Sequence, residues 1–268
     1  MERRRGILAK SRIAACYAVY AAANAVFIIA AFALYAAKSL GAEWAGRAAN
    51  GLLRFLVRLL ALRVFPALGG CRVRAEGFES LPPAPSVYAF NHISHLDPLF
   101  AIALVPNAAV VVKGKYDSVM SIWVLTRLFD FVSLGGGSRA ELEGAMEKLS
   151  RVVGLGRNIV IFPEGTRMSG GRLGDFKSMA FRLSRRFGMD VVPGAIVSSE
   201  PVLARGASII PDRNGFSFSI RLLAPLRPGD FDSADSLSAA AYRAISRACK
   251  DMRASFPEKN LNARNGVG

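Results

Sequence analysis

The residues of this sequence best suited to proton transfer lie in one short segment. The chain contains only two histidines, His92 and His95, and both stand shortly before Asp97 in the segment NHISHLDP. A histidine accepts a proton near neutral pH, and a neighbouring carboxylate can hold its tautomer and stabilise the imidazolium. Either histidine could therefore pair with Asp97 to form a general base. The alternative is a turn in which Asp97 accepts main-chain hydrogen bonds and caps a helix.

A second segment, FPEGTR at Phe162–Arg167, has the composition of a phosphate-binding turn. Gly165 allows close approach to the main chain, while Thr166 and Arg167 supply donors suited to phosphate. Glu164 could accept hydrogen bonds from substrate hydroxyl groups. The alternative is a strand–loop turn in which the arginine pairs with a surface acid.

Several other kinds of site are not supported. The chain has no G-x-S-x-G segment, and GGGS at Gly135–Ser138 lacks the pattern of a nucleotide-binding phosphate loop. The three cysteines, Cys16, Cys71 and Cys249, are far apart, which predicts neither a disulfide framework nor a zinc site. We therefore expect no metal.

The elements that must position these residues form an α/β pattern. Strands are predicted at Cys71–Ala75, Ser86–Phe90, Val110–Val112, Asn158–Phe162, Val191–Val197 and Phe216–Leu222, and helices at Ser138–Leu155, Lys177–Phe187 and Ser233–Ala254. This alternation predicts an α/β fold with a mostly parallel sheet flanked by helices. Each candidate segment directly follows a strand, and the carboxyl ends of parallel strands usually carry the ligand site.

The positive charge of the chain is concentrated near its start. The net charge is +15, and residues 1–75 hold 12 basic and only 2 acidic residues. A charge of this size predicts a polyanionic partner, which could be nucleic acid, an anionic membrane surface or a phosphorylated substrate. The basic residues lie among leucines and the sequence has no nucleic-acid-binding motif, so we expect that the partner is not a nucleic acid.

Two apolar segments in the same region predict membrane association. The uncharged run Ile13–Ala37 has 25 residues; as a helix it would be about 37 Å long, enough to cross a hydrocarbon core of about 30 Å. A second lipophilic helix with arginines along one side is predicted from about Trp44 to Leu68. We expect a hairpin that dips into one leaflet, since both flanks are basic. A single span, a cleaved signal peptide and a helix pair packed on a soluble domain are the alternatives.

These patterns predict three regions. Residues 1–69 would form the membrane-associating helices, residues 70–256 the α/β domain and residues 257–268 a C-terminal tail.

The two candidate segments together resemble the glycerolipid acyltransferases. Their order, the pattern HX4D, the pattern FPEGTR and the spacing of 72 residues from His92 to Glu164 are similar to the 1-acyl-glycerol-3-phosphate acyltransferase family, over about Arg72 to Ser198. The resemblance implies that His92 is the general base that takes a proton from the acceptor hydroxyl. It also implies that Asp97 orients His92 and that no acyl-enzyme forms.

The same resemblance implies a set of substrate-binding residues. The residues that would hold the glycerol phosphate are Lys113, Glu164, Gly165, Thr166 and Arg167. Lys177 matches a downstream FKxGA-like segment and Pro193 matches a final VP segment. Phe131–Arg139 departs from the family pattern, because the acid expected there is absent, and this leaves the acceptor open.

The implied function is transfer of a fatty acyl group to the sn-2 hydroxyl of 1-acyl-glycerol 3-phosphate (lysophosphatidic acid), giving phosphatidic acid. The donor would be an acyl-CoA or acyl carrier protein thioester, with no further cofactor. The expected location is the cytoplasmic face of a bacterial inner membrane, in contact with anionic lipids. Other lyso-lipid acceptors, glycerol 3-phosphate as acceptor, and a non-catalytic lipid-binding protein are the alternatives, and the oligomeric state is left open.

Overall fold

A seven-stranded sheet lies between two layers of helices in the computed structural model of the chain. The structure describes residues 2–83, 85–114, 126, 129–134, 138–168, 172–204 and 216–256. The strands are β1 (Arg72–Glu76), β2 (Val87–Phe90), β3 (Ala108–Lys113), β4 (Val132–Leu134), β5 (Asn158–Ile161), β6 (Val191–Ser198) and β7 (Ser217–Leu222). The helices are α1 (Glu2–Ser39), α2 (Glu43–Leu59), α3 (Phe65–Gly69), α4 (Asp97–Leu104), α5 (Arg139–Gly154), α6 (Met179–Phe187) and α7 (Ala234–Ala254).

The strand order is β1-β7-β6-β2-β5-β3-β4. Of the neighbouring pairs, only β6 and β7 are antiparallel. The prediction of an α/β fold with a mostly parallel sheet is therefore confirmed. Because β2, β3, β4, β5 and β6 run in the same direction, their carboxyl ends meet at one edge of the sheet. Both candidate segments leave the sheet at that edge.

Most element boundaries agree with the sequence pattern to within two residues. The predicted capping box begins α5: the Ser138 hydroxyl accepts from the Glu141 N–H, and the Glu141 carboxylate accepts from the Ser138 N–H. Of the strands and helices named above, β4 and α4 were not predicted. β4 has only three residues and α4 only eight, and such short runs carry little periodic signal.

The sheet is buried on both faces, as a central parallel sheet requires. Tyr88 and Phe90 of β2 point to the face covered by α2 and α4, while Val87 and Ala89 point to the face covered by α5 and α6. Phe90 pairs with Gly194 of β6, and a methyl group at Gly194 would lie 2.2 Å from a ring carbon of Phe90. Only glycine therefore fits opposite Phe90, immediately below the candidate site.

The N-terminal helices form a hairpin. The chain reverses at residues 40–42, and α2 and α3 both contact α1. Within the described residues, Ala14–Ser39 is the one helical stretch long and apolar enough to cross a membrane, and little of it is buried in the protein. Val26 and Ile29 are 60% and 71% exposed. This apolar exposed surface is compatible with the predicted membrane association.

The second helix of the hairpin also belongs to the core of the α/β domain. Leu53 and Val57 of α2 are buried in the same hydrophobic cluster as Tyr88 and Phe100. The opposite side of α2 exposes Phe55. The predicted interfacial helix therefore has two apolar faces. One packs against the core of the α/β domain, and the other is exposed on the surface of the protein. Residues 257–268 lie outside the described part of the chain.

Candidate active site

His92 and Asp97 form a close pair at the edge where β2 ends. His92 is two residues beyond β2, and Asp97 is the first residue of α4. The distance from His92 Nδ1 to Asp97 Oδ2 is 2.8 Å, with the His92 side chain 17% exposed and Asp97 fully buried. Asp97 Oδ2 also accepts the Ile93 and Ser94 N–H groups, so it is an acceptor and the proton of the pair lies on His92 Nδ1. His92 Nε2 therefore has its lone pair free to accept a proton.

Asp97 pairs with His92 and also accepts main-chain hydrogen bonds, as the two interpretations predicted, but no side chain caps the start of α4. Its Oδ2 accepts from Ile93 at 2.6 Å and from Ser94 at 2.7 Å, which closes the loop into α4. The same oxygen holds the imidazole of His92. His95 is not the partner of Asp97. Its side chain is exposed, and its main-chain N–H donates to the Leu203 carbonyl. The structure thus selects His92 from the two candidate histidines.

Glu164 links the second segment to the first. It follows β5, the neighbour of β2, and is 6% exposed. Its Oε1 accepts from the His92 N–H at 2.8 Å, and its Oε2 accepts from the Gly174 N–H at 2.6 Å. Burial raises the pKa of Glu164, while these main-chain donors act in the opposite direction. Both carboxylate oxygens therefore have main-chain partners, and the predicted contact between Glu164 and a substrate stays a prediction.

The FPEGTR segment and the residue after it bind both the main-chain N–H and the main-chain carbonyl of His92. The His92 N–H donates to Glu164, and the His92 carbonyl accepts from the Met168 N–H at 2.8 Å. The rings of His92 and Phe162 lie 4.5 Å apart, centre to centre, at an angle of 34°. The two segments thus form one unit around the histidine, although they are separated by about 70 residues in the chain.

Arg167 is held by a carbonyl from a third segment. Its Nη1 donates to the Leu203 carbonyl at 2.8 Å, and this carbonyl also accepts the His95 N–H at 3.2 Å. Leu203 has a φ of 45°, in the left-handed region that leucine rarely adopts. Burial and the charge of Arg167 lower the pKa of His95. One N–H of the guanidinium orients Arg167, and its other N–H groups remain able to bind an anion.

Gly165 and Thr166 form the turn between Glu164 and Arg167. Gly165 has a φ of 62°, which favours glycine, and its N–H donates to the Phe162 carbonyl at 2.9 Å. Lys177 lies beside this turn, because its N–H donates to the Pro163 carbonyl at 2.9 Å. Thr166 is half-buried at the same edge.

Lys113 lies at the same edge of the sheet, at the end of β3. Val110 pairs with Val160 of β5, so Lys113, three residues later, lies level with Pro163. Its other neighbour is Leu134 of β4. The segment that departs from the family pattern, Phe131–Arg139, thus passes next to Lys113 at Leu134. Residues 135–137, in the middle of that segment, lie outside the described residues.

The sequence patterns did not single out two residues that shape this site. Asn91 is 1% exposed; its amide donates to the Ile196 carbonyl at 2.9 Å, and its oxygen accepts the Ile196 N–H at 2.7 Å. It joins the end of β2 to β6 directly before His92. Leu203 is the other residue. A buried amide beside His92 could have been suspected, but no local pattern marks Leu203.

A metal site has no candidate in the described part of the chain, where no three His, Cys, Asp or Glu side chains come together. The pair of His92 and Asp97 is instead arranged for proton transfer, with a cationic rim formed by Arg167, Lys113 and Lys177.

Comparison with known proteins agrees with this arrangement. Residues 72–197 match the family model described as Acyltransferase. A probable 1-acyl-sn-glycerol-3-phosphate acyltransferase of Mycoplasma pneumoniae is 25% identical over 208 residues, covering 73% of this chain and 77% of the relative. The human 1-acyl-sn-glycerol-3-phosphate acyltransferase alpha is 29% identical over 145 residues, covering 52% of this chain and 50% of the relative. The chain thus spans only half of the human protein's length.

The fold also matches a solved structure. The crystal structure of the 1-acyl-sn-glycerophosphate (LPA) acyltransferase, PlsC, from Thermotoga maritima superposes with a TM-score of 0.73. The match covers 96% of this chain and 100% of that chain at 21% identity. At this identity the likeness concerns the fold. Together with the family match and the curated relatives, this likeness supports an acyltransferase domain at residues 72–197, just under half of the chain.

Proposed function

We propose that this acyltransferase transfers a fatty acyl group from a thioester to the sn-2 hydroxyl of 1-acyl-glycerol 3-phosphate, giving phosphatidic acid. The observation that carries the proposal is the pair of His92 and Asp97, 2.8 Å apart, in which Asp97 binds Nδ1 of His92 and not Nε2. The names of the relatives support the acceptor, since the Mycoplasma and human proteins are both 1-acyl-sn-glycerol-3-phosphate acyltransferases.

With the shared proton on Nδ1 of His92, Nε2 can act as the base of the reaction. His92 Nε2 accepts the proton of the acceptor hydroxyl while the hydroxyl oxygen attacks the carbonyl carbon of the thioester. The bond from that carbon to sulfur then breaks, and the thiolate takes the proton back from His92. Asp97 stabilises the imidazolium between these two transfers. General base catalysis of this kind contributes about 10²- to 10⁴-fold to the rate, and the alignment of the two bound substrates contributes the rest.

The basic residues at the same edge support a phosphorylated acceptor. Arg167 has its guanidinium oriented by the Leu203 carbonyl, and Lys113 ends the neighbouring strand at the level of the FPEGTR segment. Thr166 adds a hydroxyl donor. A phosphate monoester matches donors of this type, because charge-assisted hydrogen bonds to phosphate are among the strongest in proteins.

The N-terminal hairpin supports a reaction at a membrane surface. Its helices expose apolar side chains such as Val26 and Ile29, and its basic residues suit anionic lipid. We propose that the hairpin holds the enzyme at the cytoplasmic face of a bacterial inner membrane, where a lyso-lipid and a soluble acyl-CoA or acyl carrier protein thioester meet. No other cofactor enters the proposed reaction.

Turnover of a panel of acceptors tests the proposal. The purified chain in mixed micelles is given labelled acyl-CoA or acyl carrier protein thioester with 1-acyl-glycerol 3-phosphate, other lysophospholipids, a lyso-aminolipid or glycerol 3-phosphate. We expect 1-acyl-glycerol 3-phosphate to be the best acceptor, and His92→Ala to lose about 10²- to 10⁴-fold in kcat while binding anionic vesicles normally. Preference for another acceptor would replace the proposed substrate. Near-normal turnover by His92→Ala would refute the mechanism, and no transfer to any acceptor would favour a lipid-binding role.

A further inference from the structure

Lys177 lies across the turn that carries Gly165, Thr166 and Arg167. A methyl group at Gly165 would lie 3.1 Å from Lys177 Cε and 3.2 Å from Lys177 Nζ. The side chain of Lys177 therefore occupies the space that a larger residue at position 165 would fill. Its ammonium group is held close to the main chain of the turn.

The main chain of Lys177 is anchored beside the same turn. The Lys177 N–H donates to the Pro163 carbonyl at 2.9 Å, which binds the residue beside the turn. α6 begins two residues later, at Met179, so the positive end of its helix dipole lies on the same side. Lys177 is exposed as a whole, but the end of its side chain lies against the turn at Gly165.

The ammonium group of Lys177 forms no ion pair with any residue that the structure describes. The nearest carboxylate in the turn, Glu164, has its two oxygens directed to the N–H groups of His92 and Gly174. Among the described residues the cation thus has no carboxylate partner, and it lies at Gly165, two residues before Arg167 in the chain. Such a pair of cations suits a phosphate monoester, which carries close to two negative charges.

We propose that Lys177 is a further ligand of the acceptor's phosphate, acting together with Arg167. The inference rests on the proposed function, since it assumes an acceptor that carries a phosphate monoester. It predicts that Lys177 contributes to the choice of a phosphorylated acceptor over its dephosphorylated counterpart.

The test compares Lys177→Gln with the unchanged chain, using two acceptors and one acyl-CoA donor. For 1-acyl-glycerol 3-phosphate we expect KM to rise about 10- to 100-fold, because a charged hydrogen bond to phosphate is lost. For 1-acyl-glycerol, which lacks the phosphate, kcat/KM should stay within about twofold, as should the KM of the donor. Lys177→Arg should restore most of the affinity, and Arg182→Gln, which removes an exposed cation of α6, should have no effect.

Direct binding keeps the test independent of the proposed function. Binding of glycerol 3-phosphate to the full chain in micelles is measured by calorimetry, and Lys177→Gln should weaken it about tenfold even if no acyl transfer occurs. Equal binding by the two proteins, or no binding to either, would overturn the proposal. Equal loss with both acceptors would indicate a structural role, and a rise only in the donor KM would assign Lys177 to the donor.

Discussion

The carboxylate of Glu164 accepts a hydrogen bond from the main-chain N–H of His92 at 2.8 Å. The partners are 72 residues apart in the chain but leave adjacent parallel strands, β2 and β5. The second oxygen of Glu164 accepts from Gly174, so the carboxylate connects the histidine to the segment that leads into α6. The glutamate of FPEGTR therefore supports the main chain of the proposed base, and variants of Glu164 can distinguish positioning of His92 from substrate binding.

Glu164→Gln should lower kcat more than it changes the acceptor KM. A carboxamide can accept at only one of its two terminal atoms, so either His92 or Gly174 would lose its acceptor and face an NH2 group. Loss of a hydrogen bond to a charged group costs about 1.5–3 kcal/mol, which predicts a fall in kcat of about 10- to 100-fold. Steady-state kinetics with varied acceptor measure the two constants.

The control for this variant is Glu147→Gln, which replaces an exposed glutamate of α5 and should have no effect. An effect of Glu164→Gln confined to the acceptor KM would show instead that Glu164 binds the acceptor.

Asp97→Asn should reduce kcat by about 10²-fold with the fold retained. The amide oxygen can replace Oδ2 as acceptor for His92, Ile93 and Ser94, so the loop keeps its hydrogen bonds. The negative charge is lost, and at about 4 Å such a charge is worth up to about 4 kcal/mol to the imidazolium near a protein surface. Activity is compared with thermal unfolding of the same preparation.

Asp97→Ala is a less direct test, because it leaves the buried N–H groups of Ile93 and Ser94 without an acceptor. We expect that variant to lose stability as well as activity. Unchanged kcat in Asp97→Asn would show that the carboxylate acts only by holding the loop.

Arg167→Ala should raise the acceptor KM, and Leu203→Pro should do so through the same contact. Proline fixes φ near −65°, whereas Leu203 has a φ of 45°, so the carbonyl that orients Arg167 would move. Leu203→Gly, which adopts positive φ freely, is the matched control and should keep a near-normal KM.

The kinetics of a double variant that carries both Arg167→Ala and Leu203→Pro show whether the two residues act through one contact or independently. If Leu203 acts through Arg167, the double variant should have the acceptor KM of Arg167→Ala alone. Additive increases, or a change limited to the acyl-donor KM, would contradict this relationship.

Tyr88→Phe should stabilise the protein. The Tyr88 side chain is fully buried, its hydroxyl has no hydrogen-bond partner among the described residues, and burial raises the pKa of Tyr88 to about 12. Removing an unpaired buried hydroxyl should increase the free energy of unfolding by about 1 kcal/mol. Denaturant unfolding in detergent measures the change, with Tyr242→Phe at a half-buried position of α7 as the control. A clear loss of stability would mean that the hydroxyl has a partner in the folded protein.

The fold class and most element boundaries could be predicted because they depend on local patterns. The alternation of apolar and polar residues in β7 and the capping box of Ser138 and Glu141 each involve only a few neighbouring residues. The structure has both features where the sequence predicts them. The two candidate segments could also be placed at the same edge, because each follows a strand of a parallel sheet.

Local patterns left His92 and His95 open, and only the resemblance to the acyltransferases implied His92. The partners of Glu164 and Arg167 could not be predicted from the sequence. Glu164 meets His92 across 72 residues, and Arg167 meets the Leu203 carbonyl across 36. Such contacts depend on the strand order β6-β2-β5 and on a backbone conformation at Leu203 that no local pattern indicates. Residue types and spacing thus identify the chemistry available to this chain, while the packing of distant segments assigns each side chain its partner, because a hydrogen bond requires atoms to meet within about 3 Å.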